Sequence, residues 1–275
     1  MFLVTGATGN VGAELVAALV ECGAPVRALV RSPAATLPDG VEVAVGDLNE
    51  PDSLTDALKG VEGMFLLPGW PDLPGLLTRV REAGVRRIVL LTGGSATHED
   101  LTNAVSRMMA LSERAARDSG LAWTFLRPRA FMSNTLRWLP QFRAGDTIRV
   151  RFPTVPAACI DPKDIAAVAV SALISSAHEG RSYELTGPVP LLPADQIGVL
   201  ADVLGRDLRC IGLSDEQSRA ELEATTTPEY VDAFLRFYVD RTLDEWTVHP
   251  DVAEVTGRPA RTFEQWASAH AEDFR

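Results

Sequence analysis

The first twelve residues constrain the fold more than any other stretch of the chain. The apolar segment 2–4 predicts a short buried strand, glycines follow at a spacing of three as Gly6, Gly9 and Gly12, and a helical apolar pattern covers 13–20. Glycine suits such a junction because the backbone turns sharply and a pyrophosphate must approach without meeting a Cβ atom. The N–H groups that begin a helix attract phosphate. The stretch therefore predicts a dinucleotide-binding turn, and the alternative is a plain tight turn.

Strands and helices alternate as far as residue 127. Apolar segments predict further strands at 26–31, 41–47, 63–68, 86–92 and 121–127, and helical patterns lie at 51–59, 73–83 and 99–119. This alternation is typical of a parallel sheet covered by helices on both faces. Ligands of such sheets bind at the carboxyl ends of the strands.

The pattern changes after Pro128. Short strands at 157–161 and 181–186 flank a helix at 162–177, and helical segments follow at 193–204, 214–224, 228–239 and 262–272. We expect an α/β fold with a doubly wound parallel sheet and a small, mostly helical C-terminal lobe. The nucleotide-binding domain would comprise 1–132 together with elements within about 157–186. The substrate-side lobe would comprise about 133–156 and 187–275.

The charge balance excludes some classes of partner. The 275 residues include 26 basic and 37 acidic ones, and the formal net charge of −11 argues against nucleic acid or an anionic membrane surface. No apolar run reaches the roughly 20 residues that span a bilayer. A strand at residue 2 leaves no room for a signal peptide, so we expect a cytoplasmic protein. The three cysteines have no C-x-x-C spacing, and we expect no metal site.

Several motifs spread over nearly the whole chain occur together in one known family. They are TGATGNVG at 5–12, GDL at 46–48, LRP at 126–128, FMSN at 131–134, IDPKDIA at 160–166, YELTGP at 183–188, TGRP at 256–259 and TFEQW at 262–266. Together they resemble the atypical short-chain dehydrogenase/reductases, specifically the NmrA-like group that includes NAD(P)H:quinone oxidoreductase-like proteins.

The resemblance implies a Rossmann domain with a nicotinamide dinucleotide along the glycine turn and a substrate pocket between the lobes. Residues at 47–48 would border the adenine, those at 67–68 the middle of the cofactor, and the ends of the fifth and sixth strands the nicotinamide. The cofactor-binding residues would be Gly6, Thr8, Gly9, Asn10, Val11, Gly12, Asp47, Leu48, Leu67, Pro68, Thr92, Pro128 and Phe131.

Arg31 bears on the choice of cofactor because it ends the second predicted strand. An acidic residue at this place would bind the ribose 2′-hydroxyl of NAD, whereas an arginine accommodates the 2′-phosphate of NADP. The alternative is a solvated surface arginine. We expect Arg31 to bind the phosphate and the cofactor to be NADP.

The catalytic dyad of the ordinary short-chain dehydrogenases is missing. Those enzymes carry Tyr-x-x-x-Lys on the long middle helix, but the only tyrosines here are Tyr183, Tyr230 and Tyr238, and the two lysines stand at 59 and 163. Related reductases place a single lysine on this helix, eleven residues before the glycine that ends it. That position is Met109, whose thioether cannot donate a proton.

Two polar residues after the fifth strand are the candidates for catalysis. The hydroxyl of Ser95 or the imidazole of His98 would polarise or protonate a developing oxyanion. The alternative is that this segment caps the helix that follows.

A group of mostly apolar residues is expected to form the substrate pocket. The apolar ones would floor an aromatic-accepting pocket or pack as core between the lobes. Arg129, where the family often has glycine, would meet an anionic or quinone oxygen or form a surface ion pair. The predicted pocket residues are Met109, Arg129, Phe131, Asn134 and Trp138.

Two functions follow from these residues. The first is NADPH-dependent reduction of a small conjugated acceptor, such as a quinone or enone, because a delocalised product charge needs little help from a general acid. The second is a redox sensor or regulatory protein that binds NADP(H) and a protein partner without turnover, which the absence of a proton donor at Met109 favours.

Overall fold

The computed structural model describes residues 1–98 and 100–275. Its strands are β1 (Phe2–Val4), β2 (Val26–Val30), β3 (Glu42–Val45), β4 (Gly63–Leu66), β5 (Arg87–Leu91), β6 (Ala122–Pro128), β7 (Thr147–Val150), β8 (Arg181–Leu185) and β9 (Arg209–Gly212). Seven of them form a parallel sheet in the order β3-β2-β1-β4-β5-β6-β8. The other two, β7 and β9, form a separate parallel pair.

Helices cover both faces of the large sheet. They are α1 (Asn10–Glu21), α2 (Leu73–Glu82), α3 (Ala104–Asp118), α4 (Leu139–Ala144), α5 (Pro162–Ile174), α6 (Pro193–Leu204), α7 (Asp215–Glu223), α8 (Pro228–Tyr238), α9 (Asp251–Thr256) and α10 (Phe263–Ala269). Helices α1 and α5 pack in the core of one face, and α2 with the end of α3 in that of the other. This arrangement confirms the predicted fold class. Among the described helices, none combines the length and apolar character needed to cross a membrane.

The strand order reverses between β1 and β4, and this point positions the site. The chain runs outward from β1 through β2 to β3 and then returns to β4 on the opposite side of β1. The loops after these neighbouring strands diverge, which opens a crevice at their carboxyl ends. The glycine turn lies on the rim of this crevice because it directly follows β1.

The C-terminal part has its own apolar core, built around Trp266, Phe274, Phe142 and Trp138. We keep the predicted division into two domains as a proposal. It is supported by the membership of β8 in the large sheet and by the separate pairing of β7 with β9.

Several predicted elements were wrong in extent or type. The long middle helix begins at Ala104, because the Asn103 side chain accepts from the Val105 and Ser106 amides; the predicted start at residue 99 lies outside the described residues. Segment 157–161 is extended but makes only isolated bridges, to two different partners. Only Pro51–Leu54 of the helix predicted at 51–59 is helical, as one 3₁₀ turn. The β7–β9 pair, α4 and α9 were not predicted.

Candidate active site

The glycine turn has the geometry of a phosphate-binding loop. Gly6 has a φ of +60°, which favours glycine, and a Cβ atom on Gly12 would overlap the carbonyl oxygen of Gly6. The Gly9 amide donates to that same carbonyl over 2.9 Å. No side chain caps the start of α1, so the N–H groups of its first turn point at the crevice without an internal acceptor. The turn therefore fits a pyrophosphate group.

A cavity of about 620 Å³ extends from this turn along the ends of β1, β2 and β4. Six of the predicted cofactor residues line it: Gly6, Thr8, Arg31, Asp47, Leu48 and Leu67. Trp70 also lines the cavity, with its indole N–H donating to the Leu67 carbonyl over 2.9 Å. The sequence analysis missed Trp70, although an aromatic residue between prolines, just after a strand, was a usable signal.

The other predicted cofactor residues do not line this cavity. Gly9, Asn10, Val11 and Gly12 form the turn and the helix start, where they offer main-chain groups, and the side chain of Val11 is buried in the core. Pro68, Thr92 and Pro128 lie at or beside the ends of β4, β5 and β6. Their contact with a cofactor stays a prediction.

The hydroxyl of Thr92 is already used within the protein. It donates to Glu113 Oε1 over 3.0 Å, and Glu113 is only 1% exposed. Arg127 binds both oxygens of this carboxylate, over 2.8 and 2.7 Å, and Arg117 adds a third guanidinium contact. A buried carboxylate is stable only when paired in this way. The network therefore fixes α3 against the ends of β5 and β6.

Arg129 belongs to a buried ion pair. Its side chain is 9% exposed, and it donates from Nη1 to Glu184 Oε2 over 2.8 Å. The guanidinium lies against Gly94, where a Cβ atom would overlap it. The predicted ion pair forms, but it is buried and not at the surface, and contact of Arg129 with a substrate stays a prediction. Gly94 was the sequence signal for this packing.

Met109 lies where a reacting nicotinamide is expected. Its methyl group is 3.8 Å from the position of a Cβ atom on Gly93, and the Pro128 carbonyl lies 3.9 Å from that same point. Gly93 follows β5, and Pro128 ends β6. Met109 therefore presents a thioether beside these two strand ends.

Ser95 and His98 do not cap α3. Ser95 is buried in a 3₁₀ turn, Gly94–Thr97, and Asn103 is the residue that caps the helix. His98 follows that turn, with its Nδ1 3.5 Å from Ser106 Oγ and its ring against the edge of Phe237. Burial and then the charge of Arg129 lower the pKa of His98, so the imidazole is neutral near neutral pH. Neither Ser95 nor His98 lines the two cavities described here, and their catalytic role stays a prediction.

A second cavity, of about 260 Å³, lies on the substrate side of β6. The predicted residues Phe131, Asn134 and Trp138 line it. The other lining residues, which the sequence analysis did not assign to a pocket, include Ala130, Arg137, Arg151, Phe152, Cys159, Gln196, Phe234 and Tyr238. Phe131 also packs against the same core as Leu67, which lines the first cavity.

Tyr238 supplies a hydroxyl group to the second cavity. Burial, followed by the negative charge of Glu245, raises the pKa of Tyr238, so the phenol keeps its proton. Glu245 is itself buried, and one of its oxygens accepts from the Ala130 amide over 2.8 Å. Burial raises the pKa of Glu245 to about 7. A protonated phenol and a titratable carboxyl group therefore lie next to the segment that joins β6 to the cavity.

Comparison with known proteins identifies the family. A family model described as NAD(P)H-binding matches residues 6–176. The chain is 42% identical over 280 residues to a (4-alkanoyl-5-oxo-2,5-dihydrofuran-3-yl)methyl phosphate reductase from Streptomyces griseus, with 100% of this chain and 99% of that protein covered. The chain belongs to the NAD(P)H-binding family. Within it, the chain is a member of the NmrA-like group of atypical short-chain dehydrogenase/reductases, as predicted.

Two further similarities agree with this placement. An NAD(P)H azoreductase from Xenophilus azovorans is 37% identical over 284 residues, with 100% of this chain and 99% of that protein covered. The crystal structure of an NADPH-dependent quinone oxidoreductase from Escherichia coli superposes with a TM-score of 0.78 at 24% identity, covering 98% of this chain and 99% of that one. At that identity the second similarity shows the fold. NAD(P)H binding by this chain is thereby established at the level of the family.

Proposed function

We propose that the protein is an NADPH-dependent reductase that adds hydride to the activated double bond of a small conjugated carbonyl compound. The observation that carries the proposal is the 42% identity, over the whole chain, to a reductase of an acylated dihydrofuranone. The double bond of such a furanone is conjugated with two carbonyl groups. Hydride addition to it gives an enolate whose negative charge is delocalised, which lowers the need for a strong general acid.

The site offers the groups that such a reaction needs for binding. The glycine turn and the uncapped start of α1 would hold the pyrophosphate, and Arg31 would bind the 2′-phosphate. The nicotinamide supplies the hydride when it is bound. The apolar side chains of Met109 and Phe131 would exclude water from the reacting face and hold the acceptor against it, and such positioning contributes more to the rate than proton transfer does.

Tyr238 is the group in the second cavity that can donate to a developing enolate oxygen. Its phenol keeps its proton because burial and the charge of Glu245 raise its pKa. A hydrogen bond to a charged oxygen is stronger than one to a neutral carbonyl, so this donation favours the transition state over the bound substrate. Ser95 and His98, which follow the end of β5, are the alternative donors.

The test is NADPH oxidation with an acyl dihydrofuranone, a simple enone, a quinone and an azo dye, beside a calorimetric NADPH titration. We expect the highest kcat/KM with the furanone. NADPH deuterated at the transferred position should place deuterium on the β-carbon of the product, as measured by NMR. Binding of NADPH without turnover of any acceptor would contradict the proposal and favour the regulatory alternative.

A pair of tyrosine variants tests the role of the phenol. Tyr238→Phe should lower kcat for the furanone about tenfold to a hundredfold, because a hydrogen bond to a charged oxygen contributes about 1.5–3 kcal/mol. Tyr230→Phe is the matched control, since the Tyr230 hydroxyl contacts Met108 Sδ at 3.6 Å and lies outside the second cavity. Equal rates for the two variants would exclude Tyr238 as the donor.

A further inference from the structure

Three arginines lie together where the second cavity adjoins a shallow depression. Arg137 and Arg151 line this cavity and also the shallow depression beside it, and Arg149 lines the depression. The alternation of β7 buries Ile148 and Val150 and leaves Arg149 on the opposite, exposed face. Arg137 comes from the 3₁₀ helix Met132–Trp138. Two separate elements thus bring positive charge to one wall, in a chain whose net charge is −11.

These arginines differ from Arg127, Arg129 and Arg206 in having no carboxylate partner among the described residues. Arg127 and Arg129 are paired with Glu113 and Glu184, and Arg206 is paired with Asp146 over 2.7 Å. Within the described residues, no carboxylate lies within ion-pair distance of Arg137, Arg149 or Arg151. Glu221 borders the depression but makes no ion pair with them. The cluster therefore lacks a direct ion-pair partner, and only the more distant charge of Glu221 acts on Arg137.

The proximity of two like charges makes an anion favourable here. Arg137 is exposed as a residue, yet burial around its charged group and then the charge of Arg151 lower its pKa. An arginine remains protonated at neutral pH even so. Negative charge that enters the cavity between the two guanidinium groups would relieve their repulsion.

We propose that Arg137 and Arg151 bind a phosphate monoester carried by the conjugated acceptor, at the end of the cavity away from the nicotinamide. This inference rests on the proposed function. Two guanidinium groups match a phosphate better than a carboxylate, because a phosphate monoester carries nearly two charges and three acceptor oxygens. The 3₁₀ helix rises about 2 Å per residue, so about 12 Å of backbone separates Phe131 from Arg137. The combined length of a small acceptor, its short phosphate-bearing arm and an arginine side chain spans that distance.

The test compares an acyl dihydrofuranone methyl phosphate with the same compound bearing a free hydroxymethyl group. The wild-type protein should turn over the phosphate with a kcat/KM about tenfold to a hundredfold higher. Arg137→Gln and Arg151→Gln, made separately, should each reduce this ratio towards one. Arg143→Gln is the matched control, because Arg143 is exposed on α4 and lines neither cavity; it should keep the wild-type ratio. A wild-type ratio near one would overturn the inference and leave the proposed function intact.

A binding measurement separates the two proposals. Both compounds are titrated calorimetrically into the protein saturated with NADP⁺. Tight binding of the phosphate alone, lost in Arg151→Gln, together with no turnover of either compound, would support the phosphate site and contradict the reductase function. Equal binding of the two compounds would overturn the phosphate site whatever the turnover.

Discussion

Replacing Arg31 with alanine should remove most of the preference for NADPH over NADH. Arg31 is exposed at the end of β2 and lines the 620 Å³ cavity, and no described carboxylate forms an ion pair with it. A guanidinium meets a phosphate through two parallel N–H···O bonds. One hydrogen bond to a charged group contributes about 1.5–3 kcal/mol. The wild-type protein should therefore bind NADPH about tenfold to a hundredfold more tightly than NADH.

The assay is calorimetric titration of both cofactors at low and moderate salt. Arg31→Ala should bring the ratio of the two dissociation constants close to one, and Arg31→Lys should restore part of it, since a lysine keeps the charge without the two-pronged geometry. The wild-type ratio should fall as salt screens the exposed pair. Arg143→Ala serves as the control, because it removes one exposed arginine from the C-terminal lobe.

Two results would refute this reasoning. Equal loss of NADPH and NADH affinity in Arg31→Ala would show that the side chain supports the cavity without contacting the phosphate. A wild-type protein that prefers NADH would show that another residue reads the ribose, and Asp47 would then be the first candidate because it lines the same cavity.

Three further substitutions test the rest of the site. Gly9→Ala should weaken NADPH binding at least about tenfold in a folded protein, because a φ of −87° suits any residue while the added methyl group would lie 3.3 Å from the Gly6 carbonyl oxygen, within the turn proposed to hold the pyrophosphate. Gly12→Ala should instead unfold the turn, because its Cβ atom would overlap that same oxygen. The two variants are compared by titration and thermal melting. Met109→Lys should place an ammonium beside the ends of β5 and β6 and raise turnover of quinones or ketones; a folded, NADPH-binding variant with no faster reaction would contradict the assignment of that position. Burial raises the pKa of Glu245 from 4.5 to about 7. Between these two pH values the folded chain keeps a proton that the unfolded chain has lost, so the free energy of unfolding falls by about 3 kcal/mol as the pH rises. Glu245→Gln should abolish that fall, as measured by urea unfolding at about pH 5 and about pH 8, and an unchanged pH dependence would contradict the burial of the charge.

The parts of the fold that the sequence predicted are those set by local pattern. Most strands of the large sheet contain a short apolar run, and glycine spacing marks the turn before α1, so the order of elements and the cofactor edge followed from neighbouring residues. The start of α3 was available too, since Asn103 is a typical cap. It was misread because polar residues before it also suit a helix.

The parts that failed depend on contacts between distant residues. Strands β7 and β9 have four residues each and pair across a long stretch of chain, so neither shows enough alternation to be recognised alone. The second cavity collects side chains from the segment after β6, the 3₁₀ helix, α6, α7 and α8. Arg151 and Tyr238 carry no motif, and only their common cavity gives them a role. The burial of Arg129 likewise depends on Glu184, on a strand that the sequence analysis predicted but did not place.

The absence of a lysine at position 109 and the presence of two arginines without an ion pair, Arg137 and Arg151, have a common explanation. Both follow if the enzyme uses binding energy to orient its substrate. In the proposed site, Met109 takes the position where related reductases have a lysine. A cation that could act as a general acid is therefore missing beside the reacting atoms. A conjugated acceptor reduces that loss, because its own carbonyl groups delocalise the charge formed on hydride addition. The protein must still orient the substrate. Contacts with a remote part of the substrate do this when they hold the reacting carbon against the hydride donor. Arg137 and Arg151 line the second cavity, which Met109 does not line, so contacts with them would act without disturbing the apolar surroundings of the reacting carbon. In such a site the phosphate group fixes the position of the substrate, and the conjugated carbonyl groups delocalise the charge formed on hydride addition. Features of the substrate itself would therefore determine both specificity and rate.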